Sequence, residues 1–204
     1  MTPWDDFFHQ CVRRIFSEKK SVIDIGAGLR AVPNRGNRYD PARAWIVPLI
    51  EKVDYKILDP VPDFNPDIVG DIHHLPFPDN SEDAIVCLAV LEHVANPWGA
   101  CRELFRVLKP HGICFVYVPF LYYYHAETGY YADFWRFTKD SLKLLFRDFS
   151  SLEICPVRGA VETWMHLSPF GKYTIIKILS RLMDRVLHKR ESKQVSGYYV
   201  YCVK

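Results

Sequence analysis

Between residues 3 and 19 apolar positions return every third or fourth residue. Phe7, Phe8, Cys11, Val12, Ile15 and Phe16 fall on one stripe, the period of an amphipathic helix. Thr2 stands where a cap belongs, and Pro3 suits a first helical position. The pattern then shortens. Residues 21–25 are apolar except for Asp24 and run into Gly26-Ala27-Gly28, which predicts a strand and a tight exit from it. Similar short runs predict strands at 55–58, 67–69, 84–89 and 113–118, the last being the strongest. Helical spacing separates them at 41–52, where Pro48 must bend or shorten the helix, and at 97–108, stopped by Lys109-Pro110-His111-Gly112. Residues 29–41, rich in proline, asparagine and arginine, read as a loop. Further on, Thr138 caps a helix through Phe146, strands follow at 152–155 and 198–203, and 172–188 is a long amphipathic helix. Strands alternating with helices predict an α/β fold. The expected form is a doubly wound, mostly parallel seven-stranded sheet with its last strand antiparallel.

A chain of 204 residues, 49% hydrophobic and 25% charged, holds one domain with a sizeable core. Within it, 1–20 is an N-terminal helix, 21–119 a ligand-binding core, 120–137 an aromatic substrate loop and 157–196 a helical insertion. The net charge of +2 is too small for a polybasic nucleic-acid binder. No apolar run is long enough to span a membrane, and the acidic, aromatic N-terminus is unlike a signal peptide. A cytoplasmic protein is expected. The six cysteines are scattered without metal-ligand spacing, so they read as buried thiols, and no metal site is expected.

The chemistry concentrates at strand ends. Two glycines one residue apart after the first strand let a ligand press against bare backbone. Gly26, Gly28 and Ala31 also satisfy a loose dinucleotide pattern, but Pro33, Asn34 and Gly36 forbid the immediate helix that would hold a pyrophosphate. Asp24 either faces the crevice and pairs with a cationic group or caps its own turn. Asp59 ends the second strand, where a carboxylate can accept both hydroxyls of a ribose, and Asp71 ends the third. Three acids in this register suit a cationic, nucleoside-bearing ligand.

The ordered pieces are Asp24-Ile-Gly-Ala-Gly28, Ile57-Leu-Asp59, Gly70-Asp-Ile-His-His-Leu-Pro-Phe-Pro-Asp79, Leu91-Glu-His-Val94 and Arg102-Glu-Leu-Phe-Arg-Val-Leu-Lys-Pro-His-Gly112. With this set across residues 21–119, the chain resembles the class I S-adenosylmethionine-dependent methyltransferases of the small bacterial type called methyltransferase domain family 11. Residues 120–204 match that family only in outline. The resemblance implies S-adenosyl-L-methionine as cofactor. It implies that Asp24, Gly26, Ala27 and Gly28 line the methionine part, that Asp59 holds the ribose, and that Asp71 with the backbone of Ile72 meets the adenine. Leu88 would flank the methionine end, and His93 would lie near the mouth. The family commonly has a small residue where this chain has Arg30, which either pairs with the cofactor's carboxylate or is solvated.

Methyl transfer to a hydroxyl needs a group that takes a proton. The candidates are His93, and His125 with Asp133. His73 and His74, beside Asp71, are poorer ones. The segment 119–138 should arch over the sheet edge. There Phe134 and Phe137 are expected inside, while Tyr122, Tyr124, Tyr130, Tyr131 and Arg136 are candidates for an acceptor pocket. Its Asp-Phe-Trp-Arg-Phe-Thr stretch resembles a motif of methyltransferases near glycan and secondary-metabolite pathways. In the 172–188 helix, Ile175, Ile178, Leu179, Leu182, Met183 and Val186 form an apolar face. From 172 to 193, seven Lys/Arg face two acids. Such a helix packs on a sheet, covers the site, or meets a membrane or partner through 172–190. The expected function is transfer of a methyl to a small-molecule or glycan- or lipid-linked acceptor, at oxygen. Its rivals are a methyltransferase fold without transfer and an NAD(P)-dependent oxidoreductase. The sequence leaves the oligomeric state open.

Overall fold

The computed structural model describes every residue except Met1, Asn37 and Glu191. Asn37, in the expected loop, and Glu191, one of the acids counted in 172–193, therefore lie outside the described residues. The seven strands are β1 (Ser21–Ile25), β2 (Asp54–Asp59), β3 (Ile68–Val69), β4 (Glu82–Leu88), β5 (Leu108–Pro119), β6 (Ser151–Val157) and β7 (Gly197–Val203). They form one sheet in the order β3-β2-β1-β4-β5-β7-β6. Pairing is parallel from β3 to β5, and β7 runs antiparallel to both β5 and β6. The expected fold class is the observed one.

Among the described residues six α-helices accompany the sheet: α1 (Pro3–Glu18), α2 (Val47–Ile50), α3 (Pro97–Val107), α4 (Lys139–Leu145), α5 (Ala160–Leu167) and α6 (Thr174–Val186). The α1 start is a capping box in which Thr2 and Asp5 exchange side-chain and backbone hydrogen bonds. Its stripe of Phe8, Cys11, Val12, Ile15 and Phe16 packs on one sheet face against Val22, Val86 and Phe115. The other face carries Ile23, Ile85, Cys114 and Val116 beneath Leu104 and Val107 of α3 and Leu142 of α4. The predicted helix over 41–52 is a 3-10 turn, Pro41–Ile46, followed by one turn of α2. Pro48, in the first turn of α2, lacks a donor and crowds the turn before it, so the two pieces do not join as one α-helix. The stop at 109–112 is a bulge inside β5, inserted between the Glu82–Leu108 and Ala84–Ile113 pairs. Within the expected helical insertion, 157–196, α5 is a second helix whose bounds the pattern did not give.

The largest departure concerns α6. Its hydrophobic stripe points outward: Ile175 is 60% and Val186 66% exposed, while the buried positions are Ser180 and Asp184. The cause lies in α5, whose N-cap position is Gly159 and offers no side-chain cap. Asp184 reaches across and accepts from Val161 N and Glu162 N, each at 2.9 Å. Arg181 Nε meets the buried Glu162 at 2.9 Å. The polar face of α6 is thereby committed to α5, and the apolar face is left to the outside. Packing of that stripe across the sheet is ruled out.

Candidate functional site

The carboxyl ends of β1, β2 and β4 open into one cavity of about 430 Å³. Its floor is the turn after β1. Gly26 has φ +72°, and a Cβ on Gly28 would stand 2.7 Å from the backbone oxygen of Leu88, so the turn presses against β4 as no larger residue could. Asp24 does not line the cavity. It is fully buried below the turn, accepting from Gly28 N at 2.9 Å, Leu29 N at 3.1 Å and Tyr55 Oη at 2.7 Å. This corrects the crevice-facing expectation, and the turn-capping alternative describes what is seen. Ala27 is likewise turned away, its Cβ facing Gly36. Both are positioning residues for the glycine turn.

Burial pushes the Asp24 carboxyl up to about 6, against the pull of its Tyr55, Leu29 and Gly28 hydrogen bonds. An acid whose pKa is raised on folding makes the folded state lose stability as pH climbs from its unfolded pKa to its folded one. Between pH ~4 and pH ~6 the free protein should lose about 3 kcal/mol from this residue and stay at that lower level above. Asp24→Asn should flatten that stretch, as read from thermal melts across it.

Asp59 is the wall's main acceptor. It is 6% exposed and lines the cavity, its Oδ1 takes Val61 N at 2.9 Å, and burial raises its pKa. Asp71 is exposed and bonded through Oδ1 to the backbone and ring of His73. Burial pushes its carboxyl up, but those bonds outweigh it and the pKa is lowered. Ile72 and Leu88 also line the cavity. At the far end of the turn stand Arg30 and Arg38, and among the described residues no carboxylate lies within ion-pair distance of either. Desolvation lowers the Arg30 pKa, and the Arg43 and Arg38 charges beside it act the same way. Arg30 is half-buried in the cavity wall rather than freely solvated. It also holds φ +53°, a conformation glycine adopts without penalty. Arg30→Gly is expected to raise the melting temperature slightly while weakening S-adenosylhomocysteine binding about tenfold, because it removes strain and a carboxylate partner together. Calorimetry and melts on one preparation would separate the two effects.

The opposite wall comes from the 3-10 turn after β4, Leu91–His93, and from the aromatic loop. Glu92 is 1% exposed, and its backbone oxygen accepts from Phe134 N at 2.8 Å and Trp135 N at 3.2 Å, tying the loop over the site. His93 turns Nδ1 to Ala132 O at 2.6 Å, and His125 turns Nδ1 to Tyr123 O at 3.1 Å. The rings stand edge to face 4.8 Å apart, with Tyr131 4.4 Å from His93. The Glu92 carboxylate beside it raises the His125 pKa. Asp133 lies behind His125, its side chain fully buried, and Arg136 holds its pKa down to about 2.

Three acceptor-side expectations need correction. Arg136 lies outside the cavity lining, its guanidinium clamped on Asp133 at 2.5 and 2.7 Å and on the carbonyls of Tyr122, Tyr123 and Trp135. Tyr124 is 74% exposed and not in the wall. Phe134, expected inside, lines the cavity, while Phe137 is buried as expected. Tyr130 and Tyr131 are in the wall, Tyr130 against Phe64 at 5.0 Å. The sequence reading gave Glu92 no role. Its signal was an acid placed next to His93 on an otherwise apolar turn.

Residues 50–116 match the family model described as Methyltransferase domain. Over 50 residues the chain is 42% identical to the sterol 24-C-methyltransferase erg6 of Aspergillus fumigatus, a stretch that is 24% of this chain and 13% of that protein. The chain thus spans only a small part of the length of that relative. Among solved structures it is similar to a SAM-dependent methyltransferase from Archaeoglobus fulgidus, with TM-score 0.61 and 14% identity over 98% of this chain and 94% of that one. It is also similar to a 1,6-didemethyltoxoflavin-N1-methyltransferase from Burkholderia thailandensis, with TM-score 0.54 and 14% identity over 96% and 76%. The structural likenesses show the fold, and the matched segment carries β2 to β5 with Asp59, Asp71 and the Glu92-His93 turn. S-adenosylmethionine fits what is present: a bare glycine turn that a Cβ would fill, a buried carboxylate lining the cavity, and two guanidiniums at the turn's far end with no carboxylate partner among the described residues. The chain thus carries a Methyltransferase domain match over residues 50–116, on a sheet whose fold it shares with S-adenosylmethionine-dependent methyltransferases.

Proposed function

We propose that the chain transfers a methyl group to a hydroxyl of a small, largely apolar acceptor. The observation that carries this is continuity: one cavity is lined by Gly28 and Asp59 at one end and by His93, His125 and Tyr131 at the other. S-adenosylmethionine, when bound, supplies an electrophilic methyl on a sulfonium. Asp59 holds the ribose, Asp71 and the Ile72 backbone meet the adenine, and Arg30 pairs with the carboxylate. The acceptor rests among Tyr130, Tyr131 and Phe134, with its hydroxyl between the methyl and the Glu92-His93-His125 wall. A histidine of that wall would take the hydroxyl proton, and the freed oxygen would receive the methyl supplied by the bound cofactor, whose sulfur keeps the electron pair of the broken carbon–sulfur bond. Asp133 positions His125. The test is calorimetric titration with S-adenosylhomocysteine, beside NADH as control, followed by transfer of labelled methyl to a panel of phenols, sterols and glycosides. Micromolar binding of the first ligand alone supports the reading, and no binding by folded protein removes it.

The outward face of α6 favours an acceptor drawn from a lipid surface. Ile178, Leu182 and Val186 are exposed, as are Trp164, Leu167 and Phe170 of the α5 segment, and the exposed Lys172 and Lys189 flank α6 in the sequence. Exposed aromatic and aliphatic groups with basic residues nearby in the chain suit an anionic bilayer interface. The hairpin adjoins the acceptor side, since His166 of α5 touches the rings of Tyr122 and Tyr123. No helix among the described residues is long and apolar enough to cross a membrane, so the contact is peripheral. Sedimentation with phosphatidylglycerol-containing vesicles should retain the protein, pure phosphatidylcholine should retain far less, and Leu182→Glu should release it with S-adenosylhomocysteine binding intact. A concentration-dependent dimer lost in the same variant, with no vesicle binding, would assign the face to a second copy instead.

A further inference from the structure

Glu92 poses an electrostatic problem that the sheet does not solve. It is 1% exposed, and its Oε2 has no hydrogen-bond partner among the described residues. Its Oε1 lies 3.9 Å from His93 Nε2 and 3.7 Å from His125 Nε2, too far for a hydrogen bond. A buried carboxylate in that condition is costly unless a cation meets it. No Lys or Arg among the described residues does, for Arg136, the guanidinium on the same loop, is spent on Asp133.

The rings are arranged as ligands. His93 gives Nδ1 to the Ala132 carbonyl. His125 has Nδ1 between the Tyr123 carbonyl at 3.1 Å and Asp133 Oδ2 at 3.2 Å. Acceptors on both Nδ1 atoms favour a proton there, so in the neutral rings Nε2, 3.9 and 3.7 Å from Glu92 Oε1, is the nitrogen free to ligate. A carbonyl or carboxylate behind a ring in this way is the usual outer support of a metal-ligating histidine. The Glu92, His93 and His125 ligand atoms all lie within 4.8 Å of one another. Two ligands of one tetrahedral cation, each ~2.1 Å from it, stand about 3.4 Å apart, so the carboxylate–imidazole pairs at 3.7 and 3.9 Å close with a few tenths of an ångström, and the set, within 4.8 Å, closes with side-chain movements of about 1 Å.

We propose that Glu92, His93 and His125 bind one divalent transition-metal cation, with the cavity side left open for the acceptor's oxygen. Two imidazoles and one carboxylate select zinc, manganese, iron or cobalt over magnesium or calcium, which favour oxygen ligands. His93 and His125 both line the methyl-donor cavity, so the open position faces it. A hydroxyl taking that position loses its proton to water at a lower pH than it does when free. This role in transfer rests on the reading above, but binding of the cation does not.

The experiment uses the full chain, stripped with chelator and titrated with Co2+ while its visible absorption is followed. Expected are one equivalent of tight binding and d–d bands with nitrogen-ligand character. Glu92→Gln and His93→Ala should each weaken binding about tenfold or more, while His111→Ala, outside the site, leaves it unchanged. Each variant is also titrated with S-adenosylhomocysteine, whose retained binding shows that it is folded. Absence of bands, or bands unaltered in both variants, would overturn the metal site while the cofactor result stood. Loss of cofactor binding in the unaltered protein would instead count against the methyl-transfer reading.

Discussion

Asp59→Ala is expected to weaken S-adenosylhomocysteine binding about a hundredfold, or ~2.7 kcal/mol, the share of two hydrogen bonds to a charged acceptor. The geometry sets the size. Asp59 ends β2 with one oxygen fixed by Val61 N at 2.9 Å, so the carboxylate is held rigid, and it is 6% exposed. Ribose hydroxyls reaching it therefore displace little water. The same burial raises its pKa. In the free protein its charge thus costs stability as pH rises through its unfolded value toward the folded one. A ligand that hydrogen-bonds the charged form pulls the pKa back down, so cofactor binding should tighten with rising pH over that window. Asp59→Ala should also raise the melting temperature of the ligand-free protein while destroying its function, a trade usual at binding sites. Calorimetry at two pH values with paired melts would show both. A variant that binds as tightly as the original would move the ribose elsewhere in the cavity.

What was legible in the chain follows from how locally each feature is determined. The five parallel strands and α1 are written in period and caps, because Thr2, Asp5 and the stripe from Phe8 to Phe16 lie within one segment. The glycine turn and Asp59 stand at strand ends, where chain direction alone puts them at the cavity. Orientation was less legible. Asp24 shares that position, but two turn amides and Tyr55, 31 residues away, draw its carboxylate beneath the floor. The α6 periodicity announced an apolar face without saying where it points. The answer depended on Asp184 capping a helix 22 residues upstream, one whose bounds the pattern had not given. Arg136 looked like a substrate group because a loop arginine beside aromatics often is one, and only the fold brings the carbonyls of Tyr122 and Tyr123 to it. Glu92 gained its meaning from His125, 33 residues on.

Arg136→Ala should be the most disruptive single change in the loop. Asp133 has a fully buried side chain, and both its oxygens are met by Arg136, at 2.5 and 2.7 Å. Removing the guanidinium strands that charge, at a cost of about 3 kcal/mol or more for breaking a buried pair from one side. It also frees three carbonyls along the loop. The sign with pH follows from the Asp133 pKa, held down to about 2. Its stabilising contribution is present above the unfolded carboxylate value near pH ~4 and fades as pH falls toward 2. The gap in melting temperature between the original protein and Arg136→Ala should therefore be widest at neutral pH and narrow in acid. The double change to Asp133→Asn with Arg136→Ala should recover part of the loss, since no charge is then left buried. Because Asp133 also accepts His125 N at 2.8 Å, the single variant should lose acceptor-side function while still binding S-adenosylhomocysteine, whose wall is built on β1, β2 and β4. Loss of cofactor binding in step with the melting temperature would mean the loop and the cofactor wall fold as one unit. Retained binding with lost transfer would show that Arg136 works on the acceptor side alone, by keeping His125 where the cavity needs it.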